Sequence, residues 1–236
     1  MSNKKKNPKS TLKKKNPGKA LVLYTAVILI LLIALFILNR AGTENKQDLT
    51  RVAEQPSIVN QPVIGKEDAK VTLIEFGDYK CPSCKKWSQE YYPLLKTQYI
   101  DTGKVKLVFI NTLFHGNESE LGALAGEAIY SQNKDSFWAF NEAMFNAQPA
   151  VNHDNLWITE EKILELAEAI TPRIDVQKLK EDLSNRETLP QVEIDNSLVT
   201  NYSITQTPTI MINGIKIANP FDMESIKSVI DKELGA

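Results

Sequence analysis

Cysteine is almost missing from this chain: only Cys81 and Cys84 occur among 236 residues. No third cysteine exists to form a conventional structural bridge with either. Histidine is equally scarce, with His115 and His153 the only two, 38 residues apart. A zinc site built on Cys81-x-x-Cys84 normally needs a second cysteine pair or two histidines at short fixed spacing, and neither is present. Basic residues are also in short supply over most of the chain. After residue 40, 19 basic residues stand against 29 acidic ones, which argues against nucleic acid or an anionic surface as partner. Internal repeats are absent, and the only low-complexity stretch is a lysine-rich tail.

That tail carries eight lysines in residues 1–19 and no acid. Alone it would read as a disordered tail or a nucleic-acid arm. It stands directly before Ala20–Leu38, an uncharged apolar run of 19 residues. At about 1.5 Å per residue such a run is long enough to cross a bilayer core as a helix. Lysines on its N-terminal side predict a cytoplasmic N-terminus and an exported remainder. A cleaved signal peptide is the alternative. Its apolar core spans only about 7–15 residues before a small-x-small site, and Leu38-Asn39-Arg40-Ala41-Gly42 is a poor one. With no cysteine near the run, lipidation there is excluded. The expected layout is a cytoplasmic basic tail (1–19), a transmembrane anchor (20–38) and a polar linker (39–56).

Val71–Phe76 is a short apolar, β-branched run and reads as a buried strand. Pro82 suits the first turn of a helix, which should run through Trp87 and Tyr91 to about Tyr99, bent at Pro93. Val105–Ile110 reads as a second strand, parallel to the first by right-handed crossover. The cysteine pair therefore falls at a strand-to-helix junction. Five stretches show apolar residues at helical spacing: Leu121–Ser131, Phe137–Asn146, Glu160–Ile170, Val176–Leu183 and Val192–Tyr202. Asp135 and Thr159 are expected N-caps. Thr209–Ile212 and Ile215–Ala218 flank Asn213-Gly214, a two-residue hairpin signal. Asp222 caps a last helix, Met223–Leu234. The predicted fold class is α/β: a βαβ unit, a helical insert and a ββα unit.

Two thiols one helical turn apart can cycle between a dithiol and a small disulfide ring. A helix N-terminus offers free N–H groups and a positive dipole end, both of which stabilise a thiolate, the reactive form. Cys81 is the expected attacking sulfur, exposed at that end. Cys84, expected to be more buried, resolves the mixed disulfide. Lys85 and Lys86 either add positive field or form ordinary solvated helix surface. The pair alone leaves three readings: a redox centre, half of a metal site, or an inert surface disulfide. Glu75 interrupts the apolar run Val71-Thr72-Leu73-Ile74-Glu75-Phe76. If buried, its pKa should rise and it can shuttle a proton; the alternative is an edge-strand residue facing solvent. His115 reads as a structural histidine or a general base. Trp87, Trp138 and Phe140 read as core.

The strand, the Cys-Pro-x-Cys at a helix start, the helical insert and Thr207-Pro208 before a hairpin together resemble the DsbA-type thiol–disulfide oxidoreductases of the thioredoxin fold. Phe114-His115, the small-residue stretch Gly122–Ala128 and Ser136–Phe145 are similar to the first insert helices of that family. The resemblance covers about residues 57–236. With the anchor, the Cys-Pro-Ser-Cys motif and the absence of other cysteines, it looks most like the membrane-bound BdbD-type members of Gram-positive bacteria. It implies a thioredoxin fold divided as 57–113 and 202–236, with 114–201 as the helical insert. It implies that Pro208 is a cis-proline beside the sulfurs, leaving the Thr207 backbone unpaired and able to meet an extended substrate strand. Without the resemblance, Thr207-Pro208 would be an ordinary strand-entry turn. Glu75 would lie under the disulfide and exchange a proton with the resolving thiol. Pro82 and Ser83 join Thr207 and Pro208 as the expected substrate-facing residues. Strongly oxidising members often carry His where this chain has Ser83, which leaves the oxidising strength open. Some relatives bind calcium. Glu187, Glu193 and Asp195 are acids in a suitable part of the insert, but no EF-hand-like loop is present, and neither metal nor cofactor is assigned.

The expected function is an extracytoplasmic oxidase that passes its disulfide to reduced exported proteins. The resemblance implies reoxidation by a DsbB-type, quinone-linked membrane partner. Its location would be the cell membrane, single-pass, with the catalytic domain outside. A membrane-tethered reductase or isomerase is the alternative enzyme, and a binding module with a static disulfide the non-enzymatic one.

Overall fold

A computed structural model describes residues 17–42, 50–170 and 174–235, with some side chains of the first helix excepted. Most of the basic tail and part of the linker expected at 39–56 lie outside the described residues. The chain divides into two units, 1–46 and 47–236.

In the first unit, Pro17–Gly42 forms one 26-residue helix, α1. Its described large apolar side chains, from Leu21 to Leu35, are all exposed. Taken over the described residues alone, no helix is long and apolar enough to cross a membrane.

The second unit is built on a six-stranded mixed sheet. Its strands are β1 (Thr50–Arg51), β2 (Val63–Ile64), β3 (Val71–Gly77), β4 (Val105–Asn111), β5 (Thr209–Ile212) and β6 (Ile215–Lys216). They lie in the order β1-β6-β5-β3-β4-β2. β3 is central, parallel to β4 and antiparallel to β5. All seven of its residues are buried, which is why its sequence is nearly continuous in apolar residues rather than alternating. Leu73 faces one core with Leu107, Ile210 and Ile226, while Ile74 and Phe76 face another with Val108 and Met211.

After β3 the chain turns into α2 (Pro82–Glu90), breaks at Tyr91, and resumes as α3 (Tyr92–Leu95) and a π-helical turn, Lys96–Ile100. The sequence predicts one bent helix here. Proline has no N–H to continue the ladder, and the break falls two residues before Pro93. Between β4 and β5 lie α4 (Asn117–Gln132), α5 (Lys134–Ala147), α6 (Glu160–Ile170), α7 (Val176–Asn185) and α8 (Leu189–Asn201). Asn133, not Asp135, caps α5, its side chain accepting from the Asp135 N–H. Thr159 caps α6 through a 3.2 Å bond from Lys162 N–H. Asn213 and Gly214 both take positive φ (45° and 78°), the conformation a two-residue hairpin requires. Asp222 then caps α9 (Met223–Leu234), accepting from Ser225 N–H at 3.0 Å.

Thr50 and Arg51, expected as tether, are instead an edge strand paired with β6. Arg51 explains the difference: its guanidinium donates to the Asn213 carbonyl at 3.2 Å and meets the Glu233 carboxylate at 2.6 Å. The chain thus joins the sheet at the Asn213-Gly214 end. The cysteines follow the opposite end, where β3 terminates.

Gly77 closes β3 against the Phe109 ring, where an added Cβ would stand 2.4 Å from a ring carbon. Phe109 cannot retreat, because it stacks on Tyr79 at 5.5 Å and packs on Phe137 and Phe145. Gly77→Ala should therefore destabilise the fold by ~1–3 kcal/mol through overpacking. A urea midpoint unchanged from the parent would contradict this packing account.

Candidate active site

The site grows from the end of β3. Cys81 takes an extended conformation (φ −76°, ψ 120°) as the N-cap of α2, with Pro82 at the first helical position. Its carbonyl accepts from the N–H groups of Cys84 and Lys85 at 3.1 and 3.2 Å. Its sulfur is favoured as an anion by the N–H groups of Ser83 and Cys84 in the first helical turn. Pro82 and Ser83 are exposed. Cys84, one turn on, is fully buried.

Cys81 was expected to be exposed, yet it is only 7% accessible. The cover comes from the other half of the sheet. The Thr207–Pro208 bond is cis, and the Thr207 carbonyl lies 3.4 Å from the Cys81 sulfur. That carbonyl can accept from Cys81 only while the thiol is protonated. Thr207 is half-buried and Pro208 buried.

The two thiols have opposite electrostatics. Cys81 is lowered from 9.0 to about 5, chiefly by a hydrogen bond from the Cys84 side chain. Burial opposes this shift, while the Thr207 side chain and the N–H groups of Cys84 and Ser83 assist it. Cys84 is pushed well above its ordinary value, first by burial, then by its hydrogen bond to Cys81 and by the negative charge of Cys81 and Glu75. The reduced site is therefore a Cys81 thiolate accepting from a protonated Cys84.

Glu75 is buried, 3% accessible, on the central strand between Phe109 of β4 and Ile210 of β5. Burial holds its carboxyl protonated well above the usual range, and the Cys81 charge adds to the effect. Its Oε1 has no hydrogen-bond partner among the described residues. A protonated carboxyl in this place can give up and recover a proton next to the buried thiol.

The other residues singled out in the sequence divide. Trp87 is buried and donates to the Pro220 carbonyl at 3.1 Å, and Phe140 is in the core. Trp138 is half-buried and stacks on Tyr92 at 6.0 Å. Lys85 donates to the Gln148 carbonyl, and Lys86 lies over the Phe221 ring at 5.4 Å. His115 turns Nδ1 to the Asp78 carboxylate at 2.7 Å.

Sequence reading missed Asp78-Tyr79-Lys80, the three residues that lead into Cys81. Each is held by residues that lie between β4 and β5. Asp78 binds the start of α4. Tyr79 accepts from Asn141 at its hydroxyl and from Gln148 at its carbonyl. The Lys80 ammonium is buried against Glu118 and donates to the Asn155 carbonyl at 2.6 Å. Their adjacency to the cysteines was the only available signal.

A second polar cluster was also missed. Asp195 meets neither Glu187 nor Glu193 in a hydrogen bond but Gln61 (2.7 Å) and Asn111 (2.8 Å), and Asn111 also reaches Glu127 at 3.0 Å. All four residues are buried. Burial raises Glu127 from 4.5 to about 8 and Asp195 from 3.8 to about 6. The side-chain oxygens of Gln61 and Asn111 have no hydrogen-bond partner among the described residues. Among the described residues no group of three His, Cys, Asp or Glu gathers. The amide nitrogens of Gln61 and Asn111 donate to the two carboxylates; carboxylates and amide oxygens are ligand types that suit calcium.

The chain matches the family model described as Thioredoxin over residues 57–232. It is 42% identical to disulfide bond formation protein D of Bacillus subtilis over 193 residues, 82% of this chain and 86% of that one. It is 44% identical to a probable disulfide bond formation protein D of Bacillus anthracis, over 74% of this chain and 78% of that one. The crystal structure of oxidised BdbD from Bacillus subtilis matches with a TM-score of 0.75 at 44% identity, covering 79% of this chain and 99% of that one. Chlamydia trachomatis DsbA shares the fold at 21% identity and a TM-score of 0.67, over 78% of this chain and 96% of that one.

In the reduced protein, alkylation of Cys81 should follow a pH midpoint near 5, with Cys84 inert at neutral pH. The lowered value also fixes a stability trend. Relative to Cys81→Ser, the reduced fold should gain stability as pH rises from about 5 towards 9, since the folded thiol releases its proton before the unfolded one; the buried carboxyls Glu75, Glu127 and Asp195 act in the opposite sense in both proteins. A midpoint near the ordinary thiol value would contradict the geometry.

Proposed function

The chain belongs to the thioredoxin family and is a thiol–disulfide oxidoreductase of the DsbA type; from that premise we propose that it is an extracytoplasmic oxidase that passes the Cys81–Cys84 disulfide to reduced exported proteins. The observation that carries the direction is the stabilised Cys81 thiolate. Every interaction that favours this thiolate favours the reduced protein over its own disulfide, and so makes the disulfide a better oxidant.

A substrate thiolate attacks the Cys81 sulfur, and the Cys81–Cys84 bond breaks with its electron pair leaving on Cys84. Cys84 is buried and favours its neutral form, so it takes a proton, for which Glu75 is the adjacent donor. A second substrate thiolate attacks the substrate sulfur of the mixed disulfide. Cys81 leaves as a stable thiolate, and the substrate carries away the new disulfide. Two electrons have passed to the enzyme, and a DsbB-type, quinone-linked membrane protein is the proposed acceptor. Thr207, Pro208, Pro82 and Ser83 are the proposed substrate-facing residues, and Pro82 and Ser83 are exposed next to Cys81. The apolar run Ala20–Leu38, within α1, is the proposed anchor, with the lysine-rich tail in the cytoplasm.

Gln61, Asn111, Glu127 and Asp195 would hold a calcium ion, which would supply fixed positive charge between two buried carboxylates. Added calcium should raise the melting temperature of the parent protein and not that of Asp195→Asn. Equal shifts in both, or none in either, would remove the proposed site.

The oxidised protein should introduce disulfides into a reduced, unfolded substrate, and Cys81→Ala should abolish this. Full activity in that variant would overturn the reading. Glu75→Gln, which keeps the shape and removes the exchangeable proton, should slow reduction of the enzyme disulfide roughly a hundredfold at neutral pH. An unchanged rate and pH profile would exclude Glu75 from proton transfer.

A further inference from the structure

We propose that Asp78 is a positioning residue for the leaving sulfur: gripped by the start of α4 and the loop before it, it aims its own backbone N–H at Cys84. It lies three residues before the cysteine pair and touches both members. Its carbonyl accepts from Cys81 N–H at 3.0 Å. Its N–H points to the Cys84 sulfur at 3.4 Å.

The Asp78 side chain is completely buried, and a carboxylate in that position must be hydrogen-bonded throughout. Oδ1 accepts from Lys80 N–H at 2.9 Å, which ties the turn to itself. Oδ2 accepts from Phe114 N–H and from the Ser119 hydroxyl, both at 3.0 Å, and meets His115 Nδ1 at 2.7 Å. These three partners sit in the β4–α4 loop and the first turn of α4. The redox turn is thereby fixed to the helical part of the domain, and not merely to its own strand.

Cys84 depends on this fixing more than Cys81 does. When the disulfide opens, the electron pair leaves on a sulfur with no access to water. Burial, Cys81 and Glu75 all disfavour charge on it, and the Asp78 N–H alone opposes them. A donor that contributes at 3.4 Å is sensitive to small rotations of the turn, because hydrogen bonds weaken steeply with misalignment. Loosening the carboxylate should therefore slow departure of Cys84 while leaving the stabilisers of Cys81 in place. These are Cys84 itself, Thr207 and the N–H of Ser83.

The proposal rests on the reading of Cys84 as the leaving sulfur, not on the direction of electron flow. The test is the rate at which dithiothreitol reduces the oxidised full chain, measured beside the pH midpoint of Cys81 alkylation. Asp78→Asn cannot accept at both oxygens. It should slow reduction at least tenfold and leave the Cys81 midpoint near its parental value. Ser119→Ala removes one donor to the intact carboxylate and should slow reduction about threefold. If Asp78→Asn does not fold, Ser119→Ala decides. Parental reduction rates in the folded variants would overturn the proposal, as would a Cys81 midpoint that moves in step with the rate. A parent protein whose disulfide resists dithiothreitol would instead refute the exchange chemistry itself.

Discussion

The opposed protonation of the Cys81 and Cys84 sulfurs is the constraint on which the site depends. It requires one sulfur to be charged and the other neutral, and the fold supplies both conditions within a single helical turn. The first N–H groups of α2 and the Thr207 side chain favour charge on Cys81. Complete burial forbids it on Cys84. Reversing either condition would leave two thiols of ordinary reactivity. The central strand serves the same asymmetry from below, because the burial that neutralises Cys84 also neutralises Glu75.

The sheet and the helices between β4 and β5 contribute different things. The sheet brings Thr207–Pro208 from β5 against a turn that begins at β3, since the two strands are antiparallel neighbours. Residues between β4 and β5 hold Asp78, Tyr79 and Lys80 through Phe114, Asn141 and Asn155. A compact thioredoxin unit would place the cysteines at a helix start, but it would lack those three attachments. Thr50 and Arg51 join the sheet as β1, paired with β6.

Much of this is legible in the sequence, for physical reasons. Cys81-Pro82-Ser83-Cys84 shows itself because proline and a cysteine pair mark a helix start without help from the rest of the chain. Glu75 shows itself because a carboxylate inside a run of buried residues violates the pattern around it. The helices of residues 117–201 follow from apolar spacing alone. Asp78 and Lys80 stay hidden because their partners lie 36 to 75 residues away and an Asp-Tyr-Lys turn is otherwise unremarkable surface sequence. Gln61 and Asp195, 134 residues apart, are hidden for the same reason. The accessibility of Cys81 was misread because the segment that covers it, Thr207–Pro208, comes from the other half of the fold.

The central claim is that this asymmetry makes the Cys81–Cys84 disulfide an oxidant. The redox equilibrium of the pair with glutathione tests it most directly. A reduction potential near about −120 mV is the predicted result, and one near about −270 mV, the range of a cytosolic-type reductant, would contradict it.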